Sequence, residues 1–320
     1  MVGAFAGAYP TTKSSALVTI DIMMPFYGDP AQFRQAVESV LAQTDGDWRL
    51  FVVDDRYPDR GPAEWLATLG DPRIRYELNE ENLGVNGNFN RCLELVEAEH
   101  FVMMGCDDLL EPAYVETLAQ IVTGHPAASY FQPGVAVIDA GGREALPLAD
   151  RVKSWYRPRA EPPIVLNGED LAVSLLRGNW TYFPSILWRT DAVRQYGFRT
   201  DYEVVLDLDL QLRIADGGGS LVVFDSKLFR YRRHSGSVSS WSARDGSRFD
   251  EELRFFQSAA ATADRLGWPK ARRVALNHLS SRLNALTRLP SAVRARDGLG
   301  CRVLAGHAFG HWRETQPDRG

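Results

Sequence analysis

The chain has 320 residues, 45% of them apolar and 24% charged, with a net charge of −5. That composition carries ample apolar mass for a large α/β domain, and its acidic balance argues against nucleic acid as a partner. Three scattered cysteines, Cys92, Cys106 and Cys301, with no C-x-x-C pair, suit a reducing compartment and exclude a cysteine zinc site.

Residues 1–16 are small and polar and read as a flexible N-terminus without the pattern of a signal peptide. No apolar run reaches the length of a membrane span, so the expected location is cytoplasmic. Residues 17–24 form an apolar run ended by Pro25, a first strand. Asp29-Pro30 reads as an N-cap with proline at N1, followed by Phe33, Ala36, Val37, Val40 and Leu41 at helical spacing. Strands are predicted over 48–53, 74–78 and 100–104, and helices over 64–69, 88–96 and 112–122. This alternation implies parallel βαβ crossovers, so 17–125 is read as a Rossmann-like half. The second half, 126–240, is less regular. Strands are expected over 129–138, 182–188 and 221–224, a helix over 206–215, and a loop near 150–165. From Phe249 the pattern is helical, with breaks expected near Trp268-Pro269 and Leu289-Pro290.

Four carboxylates carry most of the chemistry. Asp54-Asp55 and Asp107-Asp108 each end an apolar strand, because an unpaired carboxylate inside such a strand is very costly. In an open parallel sheet that edge is where ligands bind. Asp54-Asp55 suits a base N–H or a ribose hydroxyl, or alternatively an Asx-capped turn. Asp107-Asp108 suits a hard divalent cation, Mg²⁺ or Mn²⁺, shared with a diphosphate, or else a helix cap before Pro112. Asp207 opens a helix on which Asp209 and Arg213 are spaced for a surface ion pair; it can face a cleft as a general base, or simply complement the helix dipole. The loop 230–239 is basic and hydroxylic and suits phosphate, with His234 open between a ligand and a structural role. His307 and His311 lack the glutamate of the zinc-protease motif.

Taken in order, Asp21-Ile22-Met23-Met24-Pro25-Phe26-Tyr27, residues 36–44, Val52-Val53-Asp54-Asp55, residues 79–93, Gly105-Cys106-Asp107-Asp108-Leu109-Leu110-Glu111-Pro112, residues 206–213 and the loop 231–239 resemble the family 2 glycosyltransferases. The resemblance covers roughly 17–240 and implies an α/β GT-A fold, a Rossmann-like mixed sheet flanked by helices. Residues 241–320 would be a helical C-terminal extension. It further implies that Pro25, Phe26, Tyr27, Asp54 and Asp55 hold the nucleoside, and that Asn82 and Asn86 line the nucleotide-sugar pocket. Asp107 would bind the metal with His234 approaching it, Asp108 would lie near the donor sugar, and Asp207 would be the catalytic base. Three positions depart from the family pattern: Gly105 replaces the first acid of D-x-D, Leu206 replaces the acid before the base, and Gly28 follows Tyr27. Restoring an acid at 105 is therefore expected to tighten the cation.

The resemblance implies an inverting single displacement from a UDP-sugar, or a GDP- or dTDP-sugar, to a glycan, lipid-linked or small-molecule acceptor, in glycan, cell-envelope or glycosylated-metabolite biosynthesis. Acceptor contacts are expected from Trp180 and Tyr182, whose rings suit sugar faces. Two rivals stand beside this reading. A nucleotidyltransferase on the same fold would carry a glycine-rich loop after the first strand, which Pro25-Phe26-Tyr27-Gly28 is not. A non-catalytic nucleotide- or glycan-binding module is the other. The tail 269–320 carries ten Lys/Arg against three acids, with Leu276, Leu279, Leu283 and Leu286 at helical spacing. That stripe is read as packing on the catalytic domain or on a second subunit, or as a peripheral membrane contact.

Overall fold

The computed structural model describes residues 18–159, 163–233 and 247–310. Strands β1 (Ile20–Phe26), β2 (Trp48–Asp54), β3 (Ile74–Leu78) and β4 (His100–Met103) are parallel and lie in the order β3-β2-β1-β4. Between them run α1 (Pro30–Leu41), α2 (Gly61–Thr68) and α3 (Gly84–Leu95). The start of α1 is set by local chemistry: Asp29 Oδ1 accepts from the amides of Ala31 and Gln32, both at 2.9 Å, ahead of Pro30. Successive β1 side chains enter opposite layers, Ile22 and Met24 on one face and Met23 on the other, so the sheet is covered on both sides.

The second half adds β5 (Leu109–Leu110), α4 (Tyr114–Gly124), β6 (Tyr130–Ile138), α5 (Leu148–Tyr156), β7 (Ile164–Asn167), α6 (Gly168–Arg177), β8 (Leu187–Arg189), α7 (Thr190–Arg194), α8 (Leu206–Asp216) and β9 (Ser220–Arg232). Antiparallel β8 lies between β4 and β6, and β9 runs parallel to β6 beyond it. The long β9 pairs β7 through its first half and β5 through its second.

Several local expectations are corrected. The stretch 182–188 is not one strand: Phe183–Ser185 is a 3₁₀ turn around Pro184, which has no N–H to give to a ladder, and only β8 is extended. The strand expected over 221–224 continues to Arg232. The loop expected near 150–165 begins with α5, whose first turn follows Pro147.

Four helices close the described chain: α9 (Ser247–Arg265), α10 (Pro269–Asn277), α11 (Leu279–Arg294) and α12 (Gly298–Phe309). The second expected break falls elsewhere, at His278 with φ 29°, while Pro290 sits inside α11. This splits the leucine stripe. Leu276 packs on the main core and Leu286 on a small cluster of Phe249, Ala285, Leu304 and Ala308, while Leu279 and Leu283 stay 61% and 48% exposed. Phe255, Phe256, Ala260, Ala271 and Ala275 join the main core. Glu251 of α9 accepts from the amides of Glu203, Val204 and Val205 at 3.0, 2.6 and 3.0 Å. The C-terminal extension thereby pins the turn that leads into Asp207. Among the described residues no helix is long and apolar enough to cross a membrane.

Candidate active site

The parallel strands β1, β2 and β4 all end at one edge of the sheet, and both acid pairs lie there. Phe26 pairs with Asp54 in register, and the amide of Asp55 donates to the Phe26 carbonyl at 3.0 Å. Asp54 is buried, and both its oxygens are used: Oδ1 accepts from the Tyr57 amide at 2.7 Å and Oδ2 from the Tyr76 hydroxyl at 2.6 Å. Asp55, also buried, accepts through Oδ1 from Asn79 Nδ2 at 2.8 Å and the Leu83 amide at 2.7 Å. Asn79 also donates to Asn88, whose own amide reaches the Val53 carbonyl. Asp54 is therefore tied into the turn through both oxygens. Asp55 keeps Oδ2 without a hydrogen bond among the described residues, which leaves it the more open of the pair to a ligand.

The other nucleoside candidates separate in the same way. Tyr27 is 57% exposed, with its ring edge-on to Tyr57 at 5.6 Å. Pro25 is half-buried beneath it. Phe26 is corrected: it is 1% exposed and packs on Phe33 and Tyr57, because its side chain leaves the strand on the core face. Asn82 is exposed and braces the loop, donating to the Asp55 carbonyl at 2.8 Å and accepting from the Gly84 amide at 3.1 Å. Asn86 donates to the carbonyls of Arg199 and Tyr202, so its amide ties α3 to the 199–202 loop. Tyr57, Tyr76 and Asn79 were not singled out in sequence because the turn that gathers them is tertiary.

At the second pair, Asp108 is 1% exposed and accepts from the Arg232 amide at 2.8 Å. Arg232, itself buried, donates through Nε to the Asp107 carbonyl at 2.6 Å and through its other nitrogens to the Ala140 carbonyl and Gln35. Burial, then the neighbouring Asp107 charge, pushes the Asp108 carboxyl well above the ordinary carboxylate range. Among the described residues no Lys, Arg or His side chain forms an ion pair with Asp108.

The departures at Gly28 and Gly105 have a steric reason. A Cβ on Gly28 would lie 2.9 Å from Cys106 Sγ. A Cβ on Gly105 would lie 2.7 Å from Asp108 Oδ2 and 2.8 Å from Asp107 Oδ1. At Gly28 the strand end meets the acid loop, and at Gly105 the loop's own carboxylates lie where a side chain would begin, so a side chain at either position requires a neighbouring one to shift. Two adjacent carboxylates, one of them buried with its charged form disfavoured, offer the hard oxygens that suit a divalent cation. No group of three metal-ligating side chains occurs among the described residues, so such a cation would take its remaining ligands from diphosphate and water. His234 and the loop after it lie outside the described residues.

Asp207 sits in the first turn of α8, half-buried. Its Oδ2 accepts from Asn179 Nδ2 at 2.9 Å and its Oδ1 from the Leu208 amide at 2.8 Å. Thr181 Oγ1 donates to Asn179 Oδ1 at 2.8 Å and accepts from Gln211 at 3.1 Å, fixing the amide that holds the acid. The Asp209–Arg213 pair is corrected from a surface pair. Asp209 is 8% exposed at 2.7 Å from Arg213, which also caps the carbonyls of Tyr196 and Gly197. That pair is committed to packing.

The opposite wall comes from α5. Its Asp150 is fully enclosed and accepts from Arg233 at 2.9 and 3.1 Å and from the Tyr182 hydroxyl at 3.0 Å. Lys153, one turn on, donates to the Thr181 carbonyl at 2.9 Å and lies 4.6 Å from the centre of the Tyr182 ring. Burial pushes its ammonium down to about 8. Tyr182 is half-buried, its ring against Tyr231. Trp180 is corrected: it is 1% exposed in the main core with its indole nitrogen on Ser174 at 3.1 Å, so it presents no face to an acceptor. Pro147 before an acid and a lysine three apart was the local signal for this helix.

A fold with nucleotide-binding topology, two acid pairs at one strand edge and a further acid held on a helix start defines a class of sugar-nucleotide-handling proteins. The family model described as "Glycosyl transferase family 2" matches residues 21–185, and the chain belongs to that family. It is similar to the uncharacterised protein MT1568 of Mycobacterium tuberculosis (strain CDC 1551 / Oshkosh), 27% identical over 69% of each chain. It is also similar to the putative glycosyltransferase EpsE of Bacillus subtilis (strain 168), 23% identical over 68% of this chain and 73% of that protein. Among solved structures, S. aureus TarS 1-349 in complex with UDP-GlcNAc matches the fold with a TM-score of 0.60, at 14% identity, over 92% of this chain and 93% of that one. The enzyme is thus a glycosyltransferase with a GT-A fold, as the sequence motifs imply.

Proposed function

We propose that this enzyme transfers a sugar from a nucleoside-diphosphate sugar, UDP-linked in the first instance, to an acceptor hydroxyl with inversion at the anomeric carbon. The observation that carries the reading is Asp207: a carboxylate clamped by Asn179 at a helix start, with the 179–182 segment linking it to Tyr182 and Asp150. TarS, which shares the fold, was solved with UDP-GlcNAc.

Tyr27 and Asp55 are assigned to the nucleoside, the ring stacking and Oδ2 accepting from a base N–H. Asp107 and Asp108 would hold a divalent cation, Mn²⁺ or Mg²⁺, which would offset the charge of the leaving diphosphate. Asp207 takes the proton of the acceptor hydroxyl as that oxygen attacks. Asn179 keeps the carboxylate aimed, because its amide N–H donates to Asp207 Oδ2 at 2.9 Å. Arg233 supplies positive charge for the diphosphate, and Asp150 fixes the Arg233 side chain. Acceptors are expected to rest on Tyr182.

The test is calorimetric titration of UDP, GDP and dTDP with and without Mn²⁺, followed by nucleotide release from the matching sugar donors. One diphosphate binding only with Mn²⁺, and losing that binding in Asp107→Ala, is the expected result. Protein that binds none of the three overturns the donor assignment.

A further inference from the structure

We propose that Lys153 is an acceptor-binding residue, whose ammonium and the Asp207 carboxylate together hold two neighbouring hydroxyls of a neutral sugar or other polyol. This rests on the reading of Asp207 as the transfer base.

Lys153 reaches inward from α5 to the segment that supports Asp207. Its ammonium has three protons, and the one hydrogen bond it makes among the described residues goes to the Thr181 carbonyl at 2.9 Å. The Tyr182 ring covers one side at 4.6 Å. Asp150 is saturated by Arg233 and the Tyr182 hydroxyl, so it is not the partner of Lys153. The acid whose charge acts most strongly on Lys153 is Asp207. Yet no ion pair joins them among the described residues.

The two groups are held apart by a fixed chain. Lys153 is bonded to the Thr181 carbonyl, Thr181 Oγ1 to Asn179, and Asn179 to Asp207. Each oxygen of Asp207 accepts one hydrogen bond and can accept another. An ammonium with spare donors and a carboxylate with spare acceptors, near each other but not in contact, match adjacent hydroxyls. One hydroxyl donates to Asp207 and becomes the nucleophile; its neighbour accepts from Lys153. The Tyr182 ring suits the apolar face of a sugar held between them.

The charge balance selects a neutral ligand. Arg233 is paired with Asp150 and Arg248 with Glu252, so an anionic group reaching Lys153 would meet one ammonium with the Asp207 carboxylate beside it. A hydroxyl suffers no such repulsion. It also restores hydrogen bonds that burial takes from the ammonium, whose lowered value of about 8 reflects that loss.

The chain contains four lysines, Lys13, Lys153, Lys227 and Lys270, so protein labelled with ¹³C,¹⁵N-lysine gives a countable set of side-chain NMR signals. Lys153 is assigned by its loss in Lys153→Arg, or in Lys153→Met should that variant fold better. Methyl glucoside, galactoside and mannoside are titrated in, with and without UDP and Mn²⁺, against inorganic phosphate and methyl glucuronide. The expected result is a saturable shift of the Lys153 signal with at least one neutral glycoside, weakened tenfold or more in Asp207→Asn. Silence of Lys153 toward every glycoside overturns the inference, as does a response to phosphate or glucuronide alone. UDP binding is followed in the same samples. If UDP fails to bind while a glycoside shifts Lys153, the donor reading falls and the acceptor site stands. If UDP binds and no glycoside shifts Lys153, the reverse holds.

Discussion

The two acid pairs look alike in sequence and are put to different uses by the fold. Asp54-Asp55 is almost fully bonded from within, by Tyr57, Tyr76, Asn79 and Leu83. Asp107-Asp108 is clamped through the backbone and buried Arg232, with Asp108 left as a carboxylate whose ionised form is unfavourable where it sits. A buried acid that receives several donors stabilises its turn, whereas one whose charged form is disfavoured by burial, even with Arg232 and Arg233 near it, would gain from an added cation. The first pair is proposed for the nucleoside and the second for a cation.

That contrast can be broken most directly at Asp107. Asp107→Ala is expected to abolish Mn²⁺-dependent nucleotide binding while leaving the fold intact, measured by calorimetry and circular dichroism. Equal UDP affinity with and without the carboxylate would make the two pairs alike. At the third acid, Asp207→Asn is expected to lower sugar transfer by about 10² or more with nucleotide binding unchanged, the scale of a lost general base. Near-full turnover in single-turnover assays would move the base elsewhere.

The first pair should answer in stability instead. Asp54→Ala removes the acceptor for the Tyr57 amide and the Tyr76 hydroxyl and is expected to cost about 1–3 kcal/mol in urea unfolding. A variant as stable as the parent would contradict the assignment of Asp54 as a turn acid. Gly105→Asp sharpens the contrast from the other side. Because a Cβ there would crowd both carboxylates at 2.7 and 2.8 Å, the restored acid is expected to lower thermal stability and leave Mn²⁺ affinity unimproved. A tighter cation in that variant would mean that the loop yields easily.

The smallest effect concerns Lys153, whose folded value of about 8 lies below its ordinary 10.5. Between these values the unfolded chain binds more protons than the folded one, so this group makes stability rise with pH across that window. The stability of the parent relative to Lys153→Met is therefore expected to rise, by on the order of 1–2 kcal/mol after allowing for partial exposure, as pH rises through it. Parallel pH profiles for the two proteins would remove the burial argument.

Much of the fold was legible because its signals are local. Apolar runs ending in Asp54-Asp55 and Asp107-Asp108, and the Asp29-Pro30 cap, fix strand ends and a helix start from neighbouring residues alone. The alternation that they punctuate implied the parallel crossovers, and the motifs implied the family, while the order β3-β2-β1-β4 is read from the fold. Three things were settled only when distant segments met. Phe26 and Trp180 turned to the core because of the face on which each leaves its segment. Asp150, Lys153 and Arg233 became one wall because α5 folds over the 179–182 segment beside the end of β9. Asp209 became an internal tie rather than a surface ion because α8 packs against the turn at Tyr196 and Gly197. Residue type and spacing determine which acids can reach a strand edge. Only tertiary packing decides how many hydrogen bonds each receives there, and so which are structural and which are left for a ligand.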